Sequence, residues 1–593
     1  MCGIIGQVNK NATIISSDFE RMRDTLAHRG SDGFGAWYSE DKKTAFGHRR
    51  LSLIDLSEKG KQPMCNEDRT LWLTCNGEIY NYNALKNELI QKGHVFCSES
   101  DSEVIIHGYE EWGASVLEKL DGMFAFGIYD EKNQKLFLAR DRFGIKPLYY
   151  YYDSETLIFA SEIKAIIASS MVPRKINFTS FCNFFTYRYI PSPDTIWENI
   201  NKLSPATYLI FDKINAPIVK EYYSPDFITT TNNYENITAK LDNLLEQSVS
   251  SHILSDVQVG FFLSGGYDSS TIAYYLNKIK YNTQAFSIGF ENWEKSEHYY
   301  AALVAKTFQQ PLQTTIMGND NLSELEDLSY FYDEPLADIS ILPTYFVSKS
   351  AASKVKAVLS GEGADEIFAG YTWHREIPLN LDIRSKIYYL TQKIKRKHAH
   401  FSVENYSEAM SMGCFDKKEL CKLLNPDLFS YIPEDTNWFY RKHFKKELSG
   451  LKAFQYLDIK TFMGELVLTK VDRASMANSL EVRVPFLNHH LTDFVTQLPE
   501  EKYFSKSQTK ILLQNTIKNK IPQEIIKRPK QGFVGPDTYY MDISWYKKNL
   551  ENCNLIREKI IRKETVEGYL QSKDHWRLWK ILIMENWYKK WMI

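Results

Sequence analysis

Two stretches of this chain carry residues whose types and spacing suit chemistry. The first is its beginning. Cys2 follows the initiator Met, so loss of that Met puts a thiol and a free α-amine on one residue. The amine has a reference pKa of about 7.7–8.0 and the thiol about 8.5, so the amine, directly or through water, can act as the thiol's general base. Asn76-Gly77-Glu78-Ile79-Tyr80-Asn81 follows a strand-like run as a polar, glycine-bearing turn. Its Gly77 N–H and Asn76 side-chain amide can face a developing oxyanion. Arg50, in HRRLSLID, can clamp a carboxylate, and Asp101, in ESDSEVI, can accept from an ammonium; together they suit an amino acid. His28, His48, His94 and His107 pair with Cys2 by no motif, which favours the terminal amine over a Cys-His dyad. Alone, a second-position Cys also fits a small residue near a chain end.

The second stretch is Val257–Ser270, VQVGFFLSGGYDSS. Its first half is apolar and β-branched or aromatic, a buried strand; TIAYYLNKI after it has helical character. A strand, a Gly-Gly turn and a helix start form a phosphate cradle, because backbone N–H groups and the helix dipole favour an anion. Asp268 would repel a bare phosphate, so a magnesium ion is expected beside it. The Walker A spacing is absent. Taken alone, the stretch also fits an ordinary strand-to-helix turn, the lesser of the two readings. Two further strand ends suit the same place: Phe286-Ser287-Ile288-Gly289-Phe290 and Leu359-Ser360-Gly361-Glu362-Gly363-Ala364-Asp365-Glu366. Ligands of open parallel sheets bind beyond the strands' carboxyl ends, so these loops should converge. Asp268 and Asp365 would then share a magnesium ion bridging nucleotide phosphates.

The elements that must position these residues change character along the chain. The N-terminal third holds short β-type runs, Leu71–Cys75, Met123–Tyr129, Lys135–Ala139, Pro147–Tyr152 and Thr156–Ala160. Helices are expected at Ser17–Leu26, Tyr82–Lys92 and Asp101–Trp112, giving an α+β sandwich. From Tyr234 the pattern alternates, with strands at Gln258–Leu263, Gln284–Ile288 and Val355–Leu359 and helices at Ile237–Ser250, Glu297–Thr307 and Pro343–Ala352. That alternation predicts a parallel α/β sheet. The boundaries are placed at 2–205 for the first domain, 206–233 for a linker and 234–593 for the second domain, mostly helical beyond about 375. The tail tryptophans Trp576, Trp579, Trp587 and Trp591 read as core packing.

At 593 residues the chain exceeds one core. Net charge is −2, which implies no polyanion partner, and the basic clusters Lys393–Lys397 and Arg441–Lys446 read as solvated helix faces, so no nucleic acid is expected. Eight cysteines form no CxxC pair. No secretory signal and no run of about 18 apolar residues is present, so a reducing, cytoplasmic location without a membrane partner is expected.

MCGIIG, HRGSDGFG, HRRLSLIDLS, NGEIYN, SDSEV, LDGMFAFGIYD, ARDRFGIKPLYY and ASEIKAI resemble the glutaminase domain of class II glutamine amidotransferases over about residues 2–165. SGGYDSS, FSIGF, DEPLADIS, LSGEGADEIFAGY, VDRASMANSLEVRVPFLN and KRPKQGF resemble the synthetase domain of glutamine-hydrolysing asparagine synthetases, of the ATP-pyrophosphatase group. The resemblance implies an αββα N-terminal-nucleophile sandwich followed by a parallel-sheet ATP-pyrophosphatase domain. Cys2 would form a glutamyl thioester, Asn76 and Gly77 the oxyanion hole, and Arg50, Glu78 and Asp101 would hold glutamine. Leu263, Ser264, Gly265, Gly266, Asp268, Ser269, Ser287, Ile288, Ser360 and Gly361 would bind ATP, and Glu362 and Lys510 would lie near the reacting acyl group. The implied reaction adenylates a carboxylate, releases pyrophosphate and lets ammonia displace AMP. Ammonia loses its nucleophilicity on protonation in water, so an apolar, pre-formed passage is expected at the domain interface. A homodimer is the default state.

The chain departs from the family pattern at Ala27, Ser31, Tyr267 and Asn488, where Arg, Pro, Leu and Asp are usual. Aspartate is the leading acceptor, and another carboxylate such as a sugar uronic acid is the alternative. A nucleotide-binding regulator with a vestigial glutaminase is a third reading, opposed by the intact Cys2, Arg50, Asn76, Asp101, Asp268 and Asp365.

Overall fold

The computed structural model describes residues 2–228, 236–376, 403–448, 450–505, 508–528, 531–533 and 535–593. The basic cluster Lys393–Lys397 lies outside them. Arg441 of the other cluster is exposed and paired with Asp435 and Glu404, a solvated face as expected.

The first domain is two stacked six-stranded sheets. One runs β10 (Ile200–Lys202), β8 (Tyr149–Tyr152), β9 (Thr156–Ala160), β1 (Gly3–Asn9), β3 (Thr44–Arg50), β2 (Gly33–Tyr38). The other runs β12 (Ile218–Glu221), β11 (Thr207–Phe211), β7 (Lys135–Arg140), β6 (Gly122–Asp130), β5 (Leu71–Ile79), β4 (Met64–Cys65). Ile4, Val8, Phe46 and Phe159 of one sheet bury against Ala125, Leu136, Leu138 and Leu209 of the other. Helices Tyr82–Gln91 and Glu103–Trp112 close the second sheet's outer face through Leu85, Leu89, Val104 and Ile105. Helices Ser16–Asp24 and Ile163–Ile167 pack on the first sheet. This is the expected αββα sandwich.

Residues 207–221, within the stretch read as a linker, instead supply β11 and β12 of the second sheet. β11 places Thr207, Leu209 and Phe211 inward at period two, while β12 is exposed along its length and shows no such alternation.

The second domain carries a five-stranded parallel sheet in the order β15 (Leu312–Met317), β14 (Ala285–Phe290), β13 (Val259–Phe262), β16 (Ala357–Leu359), β17 (Glu481–Arg483). The expected helices form as Ile237–His252, His298–Thr307 and Ile341–Ala352. The last helix, His575–Met592, buries Trp579 and Trp587, and its Trp587 and Trp591 donate to Asp333 O and Ser329 O, so the tryptophans do pack the core.

Candidate active sites

β1 begins at Gly3, so Cys2 sits at the mouth of the sandwich, where β3 and β5 run alongside. One cleft is lined by Cys2, His48, Arg50, Gly77, Glu78 and Asp101 among others, so the residues read from four separate sequence blocks converge. Asn76 binds the Cys2 backbone: its Oδ1 accepts from Cys2 N at 3.0 Å. That fixes the amide's orientation and leaves Asn76 Nδ2 buried with no hydrogen-bond partner. A buried, unused donor beside a thiol is what an oxyanion hole requires before substrate arrives. Burial raises the Cys2 thiol pKa.

Arg50 reaches back over its own loop, donating to Ser57 O at 2.9 Å and to Asp55 O. Asp101 is buried and accepts from Ile79 N at 2.7 Å, which ties it to the end of β5. Burial pushes its pKa up to about 6 against the opposing pull of that N–H. His48, which sequence reasoning left unassigned, lines the same cleft. Burial lowers its pKa to about 3, and its neutral ring donates Nε2–H to Cys75 O at 3.2 Å. Its only sequence signal was its place in the HRRLSLID block.

In the second domain β14, β13 and β16 are neighbours, so their three loops do converge at the carboxyl edge. Gly265 has φ 73°, and a Cβ there would meet the Tyr300 backbone at 2.5 Å, so only glycine fits this turn. Ser264 Oγ accepts from Gly266 N at 3.2 Å, and Ser269 Oγ accepts from Ser264 N at 3.2 Å, which shapes the cradle ahead of helix Tyr267–Lys278. Gly361 lets its loop approach that helix; a Cβ would lie 2.9 Å from Asp268 Cβ. Ser287 Oγ is buried without a partner in the middle of β14, and Ile288 is buried beside it. Leu263 donates its N–H to Phe286 O at 2.8 Å, and Ser360 Oγ bonds the Glu362 carboxylate.

Asp268 and Asp365 converge as expected. Buried Lys510 Nζ stands between them, 2.6 and 2.7 Å from the two Asp268 oxygens and 2.8 Å from Asp365 Oδ1. Two carboxylates directed at one cationic point suit a magnesium ion, whose preferred donors are carboxylate oxygens. Arg528, from the KRPKQGF block, clamps the turn by donating to Gly265 O at 3.0 Å and pairing with Glu297. Two of the departures from the family pattern, Tyr267 at this turn and Asn488 at the domain boundary, have packing roles. Tyr267 OH donates to Ile526 O at 2.5 Å. Asn488 caps helix His489–Thr496, and its Nδ2 donates to both Asp121 oxygens at 3.2 and 3.1 Å across the domain boundary.

The seam between the domains buries ion pairs beside apolar contacts such as Trp197 against Trp587. Arg29 is fully buried between Glu162 at 2.7 Å and Asp472 at 2.8 Å, and Arg473 lies between Glu162 at 2.9 Å and Asp333 at 3.1 Å. Lys202 joins Glu334 and Glu465. A small cavity in the seam mixes Tyr80, Phe143, Ile145 and Leu487 with Asp121, Arg142 and His252. Charged residues were invisible to periodicity here because each is paired by a residue far away in sequence.

Arg483 of β17 connects the two sites. Its Nη2 lies 3.0 Å from Glu78 Oε1 in the first cleft, a contact of charges rather than an aligned hydrogen bond. Its backbone carbonyl accepts from Ser360 N at 2.8 Å in the second site. Burial drives the Glu78 pKa well up, and Arg483 opposes it.

A glutamine amidotransferase domain is matched at residues 1–223 and an asparagine synthase domain at residues 240–589. The chain belongs to the glutamine-hydrolysing asparagine synthetase family. Asparagine synthetase [glutamine-hydrolyzing] 1 of Bacillus subtilis is 33% identical, over 99% of this chain and 96% of that protein. Asparagine synthetase [glutamine-hydrolyzing] 3 of the same organism is 29% identical, over 97% and 94%. A protein named amidase chry2, from Gibberella zeae, is 28% identical, over 93% and 90%. No helix among the described residues is long and apolar enough to cross a membrane.

Proposed function

We propose that this enzyme makes asparagine from aspartate, with glutamine as ammonia donor and ATP cleaved to AMP and pyrophosphate. In the first cleft the Cys2 thiolate attacks the side-chain amide of glutamine. Asn76 Nδ2 and Gly77 N–H hold the oxyanion while Asp101 and Arg50 hold the ammonium and carboxylate. The Cys2 α-amine, having taken the thiol proton, returns it to the departing nitrogen, so collapse to the thioester releases ammonia, and water then releases glutamate and restores the thiol. At the second site the SGGYDSS turn holds the phosphates and Ser287 and Ile288 flank the nucleoside. Asp268 and Asp365 would hold magnesium, which neutralises phosphate charge when bound. Lys510, already inside this site, stabilises charge at the acyl centre as ammonia displaces AMP.

The observation that carries the reading is the buried, unpartnered Nδ2 of Asn76, whose Oδ1 accepts from Cys2 N. The acceptor assignment is supported by the names of the relatives that match nearly full length, and by Tyr267 and Asn488 being occupied in packing. Pyrophosphate release tests it directly, with ATP, magnesium, ammonia and one candidate acid at a time. Aspartate should support release. Silence with aspartate and release with a uronic acid would move the enzyme to the second acceptor class.

A further inference from the structure

A group on the outer side of the first domain has no part in either site. Glu67 lies in the turn between β4 and β5, His94 follows helix Tyr82–Gln91, and His107 and Glu110 share one face of helix Glu103–Trp112. One ligand-capable atom from each of the four lies within 4.8 Å of the others. His107 Nδ1 is 3.6 Å from Glu67 Oε2 and 4.0 Å from Glu110 Oε2. His94 Nδ1 is 3.8 Å from Glu67 Oε1 and 3.7 Å from Glu110 Oε2. These spacings are too long for hydrogen bonds, and they approach the separation of neighbouring donors around a tetrahedral ion with bonds of about 2.0–2.2 Å.

The decisive member is His107. Its ring is 1% exposed, and its Nδ1 has no hydrogen-bond partner although it points at two carboxylates. A buried imidazole nitrogen left unused costs free energy unless something fills the gap. Each ring also turns its other nitrogen toward a carboxylate: His107 Nε2 is 3.5 Å from Glu103 Oε1, and His94 Nε2 is 3.6 Å from Glu111 Oε2. Metal-bound histidines are oriented in this way, with the far N–H given to a carboxylate. Glu103 is itself held by Cys97 N at 2.6 Å and Ser98 N at 2.8 Å. Near the two imidazoles stand four glutamates, against Lys92, which pairs with Glu111 at 2.8 Å. Charge therefore favours a cation.

We propose that Glu67, His94, His107 and Glu110 hold a divalent transition-metal ion, with zinc the best fit to two imidazoles and two carboxylates. The role is structural. The ion ties three segments together, and the chain between His94 and Glu103 carries Ser100, Asp101 and Ser102 into the glutamine cleft. Its loss should therefore weaken glutamine use and leave ammonia use unchanged.

The test uses the full chain, dialysed and then assayed for zinc by elemental analysis with and without added zinc. Wild type should retain about one zinc per chain. His94→Gln and Glu110→Gln, at partly exposed positions that risk little folding, should lose it, and Glu111→Gln should weaken zinc about tenfold. Cobalt in wild type should give the visible bands of a four-coordinate site, absent in His94→Gln. Asp121, His489 and His490 form a second possible ligand group, so His490→Asn should keep its zinc. The proposal fails if wild type takes up no zinc, or if His94→Gln and Glu110→Gln take up as much as wild type. Because metal content is read without turnover, failure here leaves the catalytic reading intact.

Discussion

Replacing Arg483 by Met removes the cation that joins the two sites. The guanidinium is fully buried, with Nε 2.5 Å from Glu481 Oε1 and Nη2 3.0 Å from Glu78 Oε1, and Nη1 donates to His252 O at 2.9 Å and Leu254 O at 2.7 Å. Methionine matches much of its volume but leaves Glu78 and Glu481 buried without that charge. Breaking a buried pair from one side costs about 3–5 kcal/mol. Glu78, already pushed up by burial, would lose its main opposing influence. The Ser360 N–H bond to the residue 483 carbonyl survives, so the ATP-site backbone should hold. Arg483→Met should therefore melt earlier and lose glutamine-dependent synthesis by at least tenfold more than ammonia-dependent synthesis. Adding Glu78→Gln should restore part of the stability, because a neutral amide no longer needs the cation, but not glutamine use. Denaturant melts and parallel assays with the two nitrogen donors would measure this. If the single variant melts like wild type and uses both donors alike, the argument that Arg483 links the sites is wrong.

Glutamine turnover should depend on pH through Asp101. Its folded pKa, about 6, exceeds the usual value of about 3.9 for Asp, so the fold favours the protonated form. That contribution to stability, about 3 kcal/mol, is complete below about 3.9 and is lost as pH rises through about 6. Only the ionised form accepts from the substrate ammonium, so kcat/KM for glutamine should rise across pH 5–7; a flat profile, or one unchanged in Asp101→Asn, contradicts the assignment. Asn488→Asp would turn a hydrogen bond to Asp121 into two facing carboxylates, lowering the melting midpoint at pH 7 by about 1–3 kcal/mol equivalent and less at pH 4. Equal stability at both pH values would show that the pair does not matter.

Much of both sites was legible because their residues lie in short blocks with a fixed local geometry. The Gly265-Gly266 turn was legible as a tight strand-to-helix turn from its glycines, and the left-handed Gly265 and the Ser264–Gly266 bond give it that shape. The chemistry of Asn76 and Asp101 was legible from residue type, but their meeting with Cys2 was not: Asn76 reaches it from the other sheet by a 3.0 Å bond, and Asp101 is held at the cleft by a 2.7 Å bond from Ile79 N. Of the strands that escaped notice, β1 did so although Ile4, Ile5 and Val8 are buried, while others lack an apolar pattern. β17 is Glu-Val-Arg, two charges that bury by pairing with each other, and β3 ends in His-Arg-Arg. Ionic burial of this kind is repeated at the domain seam in Arg29 and Arg473. Lys510 was placed near the acyl group, but its position between Asp268 and Asp365 depends on a chain separation of 242 residues that no motif encodes.

The central claim is that glutamine is broken down at Cys2 and its nitrogen used at a separate ATP site. The direct measurement is product and pyrophosphate formation by Cys2→Ala, with glutamine in one assay and ammonium in the other. Synthesis from glutamine should vanish, while synthesis from ammonium continues at the wild-type rate. Loss of both in a folded variant, or retention of glutamine-dependent synthesis, would contradict the two-site account.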